Sequence, residues 1–147
     1  MAEPAQLGPA IVVHNLDHAV AALRAATRIG RPITLLSAKE AGIFAGARWF
    51  VCMVKQARAG NPYAEATEIL DCGADAGALQ TAISAAVPGI VFTGRADVAS
   101  RSAEIAGPRG ILILPRRPPA LLDLGADFFA NPERLTKRCA DALAAFC

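Results

Sequence analysis

The chain has 147 residues, a length typical of one compact domain. Hydrophobic residues make up 54% of the sequence and charged residues 19%, which excludes an intrinsically disordered chain. Lys plus Arg number 15 and Asp plus Glu 13, so a net charge of +2 gives no general basic field for binding nucleic acid. We therefore predict a single domain over residues 1–147 and no nucleic-acid partner.

The N-terminal residues and the cysteines favour a cytoplasmic location. Residues 1–9 lack the basic and apolar regions of a signal peptide, and we expect a loose lead-in there. The longest apolar stretch, residues 41–54, is shorter than the roughly 20 residues that cross a bilayer, and Arg48 interrupts it. No CxxC pair occurs among the cysteines, unlike the framework of a small secreted domain: Cys52, Cys72, Cys139 and Cys147.

Short apolar runs alternate with helical stretches along the chain, which is typical of βα units that build a parallel sheet. Strands are predicted at residues 10–14, 33–37, 67–71, 89–93 and 111–115, with a sixth at 127–130. The runs lack polar alternation, as expected for strands covered on both faces. We therefore predict an α/β fold: a three-layer αβα sandwich with a mainly parallel sheet of five or six strands, Rossmann-like or flavodoxin-like.

Residues with capping side chains mark the predicted helix starts. Asn15 follows the first strand, and Asn131 precedes Pro132 at the start of the last helix, which we expect to run to Cys147. Residues 37–40, Ser-Ala-Lys-Glu, have the pattern of a capping box and predict one long helix from Ala38 to Gly60.

Residues 125–129, Gly-Ala-Asp-Phe-Phe, resemble a strand of phosphate-binding or aldolase-type barrels. The chain is well below the ~250 residues of an eight-unit barrel, and no lysine stands at that strand end to form a Schiff base. This resemblance therefore assigns no family.

Polar side chains are concentrated where the predicted strands end. In parallel sheets ligands bind outside the carboxyl ends of the strands, because helix N-termini point their free N–H groups into that space. This edge is therefore the predicted site, and its polar residues are His14, Asn15, Asp17, His18, Ser37, Lys39, Glu40, Asp71, Cys72, Asp75, Thr93, Arg95, Asp97, Arg116 and Arg117.

Three of these residues are catalytic candidates. Asp71 ends an apolar strand, where it either transfers a proton or serves as a structural group that caps a helix or binds Arg95. His14 is a candidate acid, base or ligand, the alternative being a structural hydrogen bond to backbone. Thr93 ends the neighbouring strand, so we expect Asp71, Thr93 and Arg95 to lie close together.

The predicted ligand-binding groups favour a small anion. Gly73 and Gly77 belong to a strand-to-helix turn whose backbone can approach a phosphate or carboxylate. Arg95 and Arg116 either bind the anion or pair with nearby acids, and Lys39 either meets the ligand or is simply solvated. The turn lacks the GxGxxG and GxxxxGK[ST] patterns, so the cofactor is unknown.

A metal and a reactive thiol are less well supported. Residues 14, 17 and 18 offer three metal ligands, but His14 ends a strand and His18 lies inside the next helix, so no metal is predicted. Cys72 has no histidine near it in sequence, which favours a packing role over a nucleophile.

Two functions follow from these patterns. The first is a protein that binds a small anionic metabolite, with acid/base chemistry of the lyase or isomerase type. The second is a non-catalytic interaction or assembly module. The helix containing Trp49 and Phe50 is apolar all round, and Gly42 and Gly46 leave room for a second helix, which predicts a homodimer unless the domain buries this helix itself.

Overall fold

A computed structural model describes residues 7–146 and contains a six-stranded sheet, with helices between the successive strands of its first five. The strands are β1 (Ala10–Val13), β2 (Ile33–Ser37), β3 (Ala66–Asp71), β4 (Gly89–Val91), β5 (Leu112–Leu114) and β6 (Ala120–Asp123). The helices are α1 (Leu16–Ile29), α2 (Ala41–Phe44), α3 (Ala47–Ala59), α4 (Ala76–Ser84), α5 (Ala96–Ala106) and α6 (Pro132–Ala145). Short 3₁₀ turns cover Gly107–Arg109 and Leu124–Asp127.

All neighbouring strands of the sheet are parallel, in the order β5-β4-β3-β2-β1-β6. The predicted α/β fold with a parallel sheet of six strands is therefore confirmed. From β1 to β5 the order in space follows the order in sequence, as it does in (βα) barrels. The register pairs Val13 with Ser37 and Asp71 with Val91, so the strands end along one edge.

Buried apolar side chains form two clusters because successive strand residues point to opposite faces. The larger cluster joins residues such as Ile11, Leu35 and Leu70 to side chains of the helices. The smaller cluster lies on the other face and combines strand residues with Leu7: Ala10, Val12, Leu36, Ile69, Val91, Leu112 and Leu114.

The link between β5 and β6 requires the sheet to curve. Residues 115–119, Pro-Arg-Arg-Pro-Pro, form this link, which we call the proline strap. Six peptide steps from Leu114 to Ala120 span at most about 21 Å. The edges of a flat six-stranded sheet lie about 24 Å apart, five spacings of ~4.8 Å, and the strap must also return along the strand direction. The edge strands therefore approach each other.

Two of the predicted helix caps are confirmed and one is wrong. Asn15 accepts a hydrogen bond from the backbone N–H of His18, and Asn131 caps α6 in the same way. Ser37 does not cap a helix: it is the last residue of β2, and α2 begins four residues later without a side-chain cap. The local pattern failed because the Ser37 hydroxyl pairs with the neighbouring strand, where it accepts from the N–H of Asp71.

The single helix predicted from Ala38 to Gly60 is wrong. Gly46 adopts a φ of 91°, a left-handed conformation that ends α2 and separates it from α3. Phe50 is buried in the core and Trp49 is half-buried against it. Gly42 packs on the chain itself, since a Cβ there would lie 2.7 Å from the Sγ atom of Cys72. The homodimer stays a prediction, but Phe50 does not contribute to a surplus apolar face of the helix because it is buried in the core.

The sixth strand is also placed differently from the prediction. Residues 127–130 lie in the turn and loop after β6, while the observed strand is Ala120–Asp123. The aromatic pair Phe128 and Phe129 has strand propensity, yet β6 forms upstream because it pairs with β1.

Of the lead-in predicted for residues 1–9, residues 1–6 lie outside the described residues. Its last part is held in the fold, because Pro9 accepts the N–H of Thr34 and Gly8 accepts its hydroxyl. Cys52, Cys72 and Cys139 are free thiols, and Cys147 lies outside the described residues. None of the helices in residues 7–146 combines the length and apolar character needed to span a membrane.

Candidate functional site

The carboxyl edge of the sheet holds an ion pair that joins three separate segments. Arg117 of the proline strap donates from Nη1 to Oδ2 of Asp71 at 3.0 Å and from Nη2 to the carbonyl of Ser37 at 2.8 Å. The side chain of Asp71 is 3% exposed and that of Arg117 27%. Oδ1 of Asp71 accepts from the N–H of Gly73 at 2.8 Å. Both Asp71 oxygens are therefore engaged, and Arg117 is held across the ends of β2 and β3.

A cavity of about 430 Å³ opens beside this ion pair. Two of its residues have left-handed backbone: Glu40, with a φ of 63°, and Gly73, with a φ of 55°. Such a conformation is uncommon for a residue other than glycine, and it often marks a functional segment. The cavity is lined by Lys39, Glu40, Ile43, Asp71, Gly73, Ala74, Asp75, Thr93 and Arg117.

A histidine–carboxylate pair occupies the neighbouring exits of β1 and β6. Nε2 of His14 lies 2.6 Å from Oδ1 of Asp123, and the same oxygen accepts from the N–H of Gly125 at 2.8 Å. Desolvation raises the pKa of Asp123, but the hydrogen bonds from His14 and Gly125 outweigh it and the pKa is lowered. Arg117 adds to this lowering, which places its charge within electrostatic reach of both Asp71 and Asp123.

His18 contacts His14 of this pair through a hydrogen bond and a ring contact. Its side chain is fully buried, and its Nδ1 accepts the backbone N–H of His14 at 3.1 Å. The rings of His14 and His18 meet edge to face, and Phe128 packs against both. Burial is the main cause that lowers the pKa of His18, with the nearby His14 ring second. His18 is therefore a neutral packing group of this edge.

Some of the predicted site residues line the cavity at Asp71 and others do not. Lys39, Gly73 and Thr93 line the cavity with Asp71, and the N–H of Thr93 donates to the carbonyl of Gly73 at 2.8 Å. Arg95 is outside this lining.

Arg95 makes a two-point pair with Asp97, which is the structural role that the sequence left open for it. Arg116 is exposed and lines a different cavity of about 530 Å³ with Leu7 and the proline strap. Gly77 is also absent from the lining of the cavity at Asp71 and lies in the first turn of α4.

Cys72 and the three candidate metal ligands have structural surroundings. Burial, with Asp71 and Asp75 nearby, raises the pKa of the Cys72 thiol to about 12, so it carries no thiolate at neutral pH. Within residues 7–146 no three His, Cys, Asp or Glu side chains come together in the way a metal ion requires. Nδ1 of His18 accepts a hydrogen bond from the backbone N–H of His14, so this nitrogen is not free to bind a metal together with the His14 ring.

Sequence reasoning missed Asp123 at this edge and assigned no role to Arg117. Asp123 was overlooked because the sixth strand was placed at residues 127–130, although Ala-Leu-Leu-Asp has the same apolar run and terminal aspartate as the β3 segment. Arg117 was placed at this edge because it follows the fifth predicted strand, but neither an ion pair nor a ligand was assigned to it. No local signal assigns Arg117 to Asp71, since the two residues are 46 positions apart.

Comparisons with known proteins support the fold and leave the function open. No family model matches the chain, and no curated protein matches it. Among solved structures the chain is similar to one described as "a putative fructose-1,6-biphosphate aldolase" from Coccidioides immitis. The TM-score is 0.59 with 21% identity over 73% of this chain, and the chain spans 40% of that protein. At this identity the likeness shows a shared α/β fold alone.

Proposed function

We propose that this is a cytoplasmic protein that binds a small anionic metabolite at the carboxyl edge of its sheet and performs acid/base chemistry of the lyase or isomerase type. The observation that carries the proposal is the cavity beside Asp71, which contains Lys39, Thr93 and Arg117. Carboxyl edges of parallel sheets are where ligands bind in α/β proteins.

The lining of the cavity contains three carboxylates, those of Glu40, Asp71 and Asp75, and two cations, those of Lys39 and Arg117, so the case for an anion depends on which carboxylates are already engaged. Asp71 is engaged by Gly73 and Arg117, and Asp75 caps α4 by accepting from the N–H of Ala78. Lys39 is exposed and makes no ion pair with any residue of the described chain. A ligand therefore meets the Lys39 ammonium and the edge of the Arg117 guanidinium, a combination suited to a carboxylate or phosphate.

The remaining groups suit a hydroxylated or carbonyl-containing anion. Thr93 is exposed, and its hydroxyl makes no hydrogen bond within residues 7–146, so it is available as a donor. The Glu40 carboxylate adds an acceptor for a ligand hydroxyl. In this proposal Asp71 holds Arg117 in place, and His14 is the proton-transfer group. His14 is outside the lining of the cavity, but it directly follows Val13, whose register partner Ser37 accepts a hydrogen bond from Arg117.

A thermal-shift screen with phosphorylated sugars and keto acids tests the proposal. A ligand present at 100 times its Kd raises the free energy of unfolding by about 2.7 kcal/mol, which is a measurable rise in Tm. Lys39→Met should remove most of that rise. The matched control is Lys55→Met, because Lys55 is exposed on α3 and lines a different cavity. No stabilisation by any anion, or equal loss in both variants, would contradict the proposal.

Assembly is the second candidate, and the exposed side chains of α2 favour it. Phe44 is 71% exposed and Ile43 46%. Exposed apolar side chains of this size suit contact with a second copy of the chain. Light scattering at micromolar concentration should then give twice the monomer mass for the wild type and the monomer mass for Phe44→Asp. A wild-type monomer excludes this candidate.

A further inference from the structure

The His14–Asp123 pair determines which nitrogen of the histidine carries the proton. An ionised carboxylate only accepts hydrogen bonds, so the 2.6 Å contact requires a hydrogen on Nε2 of His14. Gly125 donates to the same oxygen, which is consistent with an ionised Asp123. In a neutral ring the second nitrogen, Nδ1, is then left with its lone pair.

The surroundings of the ring leave Nδ1 as the atom that a ligand can reach. A Cβ on Gly125 would lie only 2.9 Å from Nε2, so the backbone of this turn covers that nitrogen closely. His14 is half-buried, and its Nδ1 makes no hydrogen bond with any residue in the described part of the chain. Since Nδ1 is also not among the fully buried atoms that lack a partner, solvent can reach it. The backbone N–H of His14 bonds to His18, which fixes the start of the side chain.

We propose that Nδ1 of His14 is the proton-accepting atom of the site and that Asp123 is its positioning residue. This inference rests on the proposed function and specifies a carbon acid, an anion with a C–H next to a carbonyl, as the substrate class. The C–H bond breaks, its electron pair stays on the substrate as an enolate, and the proton forms an N–H bond at Nδ1. The resulting imidazolium is stabilised by Asp123 and returns the proton to another carbon or to a leaving group.

The positioning role of Asp123 has a spectroscopic test that needs no ligand. At pH 8.5, above the ordinary histidine range, ¹⁵N NMR should show His14 with a protonated Nε2 and an unprotonated Nδ1. Asp123→Ala should give a mixture of tautomers. Asp123→Asn should restore the wild-type pattern, because the amide oxygen still accepts from Nε2. Asp141→Ala is the matched control, since Asp141 is an exposed aspartate on α6, and it should leave the spectrum unchanged. A wild-type ring protonated on Nδ1 overturns the inference.

The role of His14 as a base is tested by hydrogen exchange of a simple carbon acid. Pyruvate is incubated with the protein in D₂O, and loss of its methyl ¹H signal is followed against a protein-free control. His14→Gln should reduce the protein-dependent rate by about 100-fold or more, and Asp123→Ala by about 10- to 100-fold. Unchanged rates in either variant overturn the inference. Absence of exchange by the wild type overturns the base role for this substrate, whereas failure of the anion screen counts against the proposed function itself.

Discussion

Replacement of Arg117 by methionine should destabilise the protein because it leaves a buried carboxylate without its counter-ion. Asp71, with a side chain 3% exposed, would retain only the N–H of Gly73. Loss of one partner from a buried ion pair costs about 3–5 kcal/mol. Since Arg117 is 27% exposed and water can enter its place, we expect the lower end, about 3 kcal/mol. For a chain of this length that lowers Tm by about 6–12 °C.

A double-mutant cycle isolates the interaction from other effects of the substitution. Asp71→Asn alone should cost about 2 kcal/mol, because the amide NH₂ would face the guanidinium. The double variant should cost about 2 kcal/mol less than the sum of the single variants. Urea unfolding followed by the fluorescence of Trp49, the one tryptophan of the sequence, gives these values.

The control for this cycle lies next to Arg117. Arg116→Met makes the same chemical change at an exposed residue of the proline strap, and we expect it to alter the free energy of unfolding by less than about 0.5 kcal/mol. A coupling energy below about 0.5 kcal/mol between Asp71 and Arg117, or equal losses from the two arginine variants, would refute the reasoning.

Three further predictions concern packing and pH. Gly42→Ala should lower the free energy of unfolding in urea by about 1–3 kcal/mol, because its Cβ would lie 2.7 Å from Cys72 Sγ. Gly60→Ala is the control and should be nearly neutral, since Gly60 has open space around it. Equal effects of the two substitutions would contradict this packing. The lowered pKa of His18 means that the unfolded chain takes up the proton first, so stability should fall as pH drops below about 6.5, by at most about 1.4 kcal/mol per pH unit. His18→Gln should flatten this dependence between pH 7.5 and 5, and an unchanged slope would show that His18 is not its source. The lowered pKa of Asp123 stabilises the fold above about pH 4, and this contribution is lost as pH falls through the folded-state pKa. The Tm of Asp123→Asn should therefore fall less with acid than that of the wild type, which thermal unfolding at pH 2–4 measures.

The interior strands were predictable because each is buried on both faces and is therefore a continuous apolar run. Ile33–Ser37 was predicted with both ends correct, and Ala66–Asp71 differs by one residue. The caps at Asn15 and Asn131 were predictable for a different reason. Each cap bonds a backbone N–H three residues ahead, so the information is local.

The errors occur where distant residues decide the local structure. Ser37 and Glu40 satisfy a local capping pattern, but the Ser37 hydroxyl is committed to β3, 34 residues away. β6 is a half-exposed edge strand that exists because it pairs with β1, more than 100 residues earlier. Single-sequence patterns contain neither of these pairings, nor the strand order. The same limit hid the partnerships of Arg117 with Asp71 and of Asp123 with His14.

The proline strap makes the stability of the fold and the proposed binding depend on the same side chain. A link this short between opposite edges holds the sheet in its curved form, and its prolines reduce the number of conformations that the unfolded strap can adopt. Arg117 attaches the middle of the strap to the ends of β2 and β3, and it also lines the cavity that we propose as the anion site. An anion that binds there would add a contact to an arginine already fixed in place, so little side-chain entropy would be lost on binding. Variants of Arg117 should therefore lose ligand affinity and stability together, whereas variants of Lys39 should lose affinity alone.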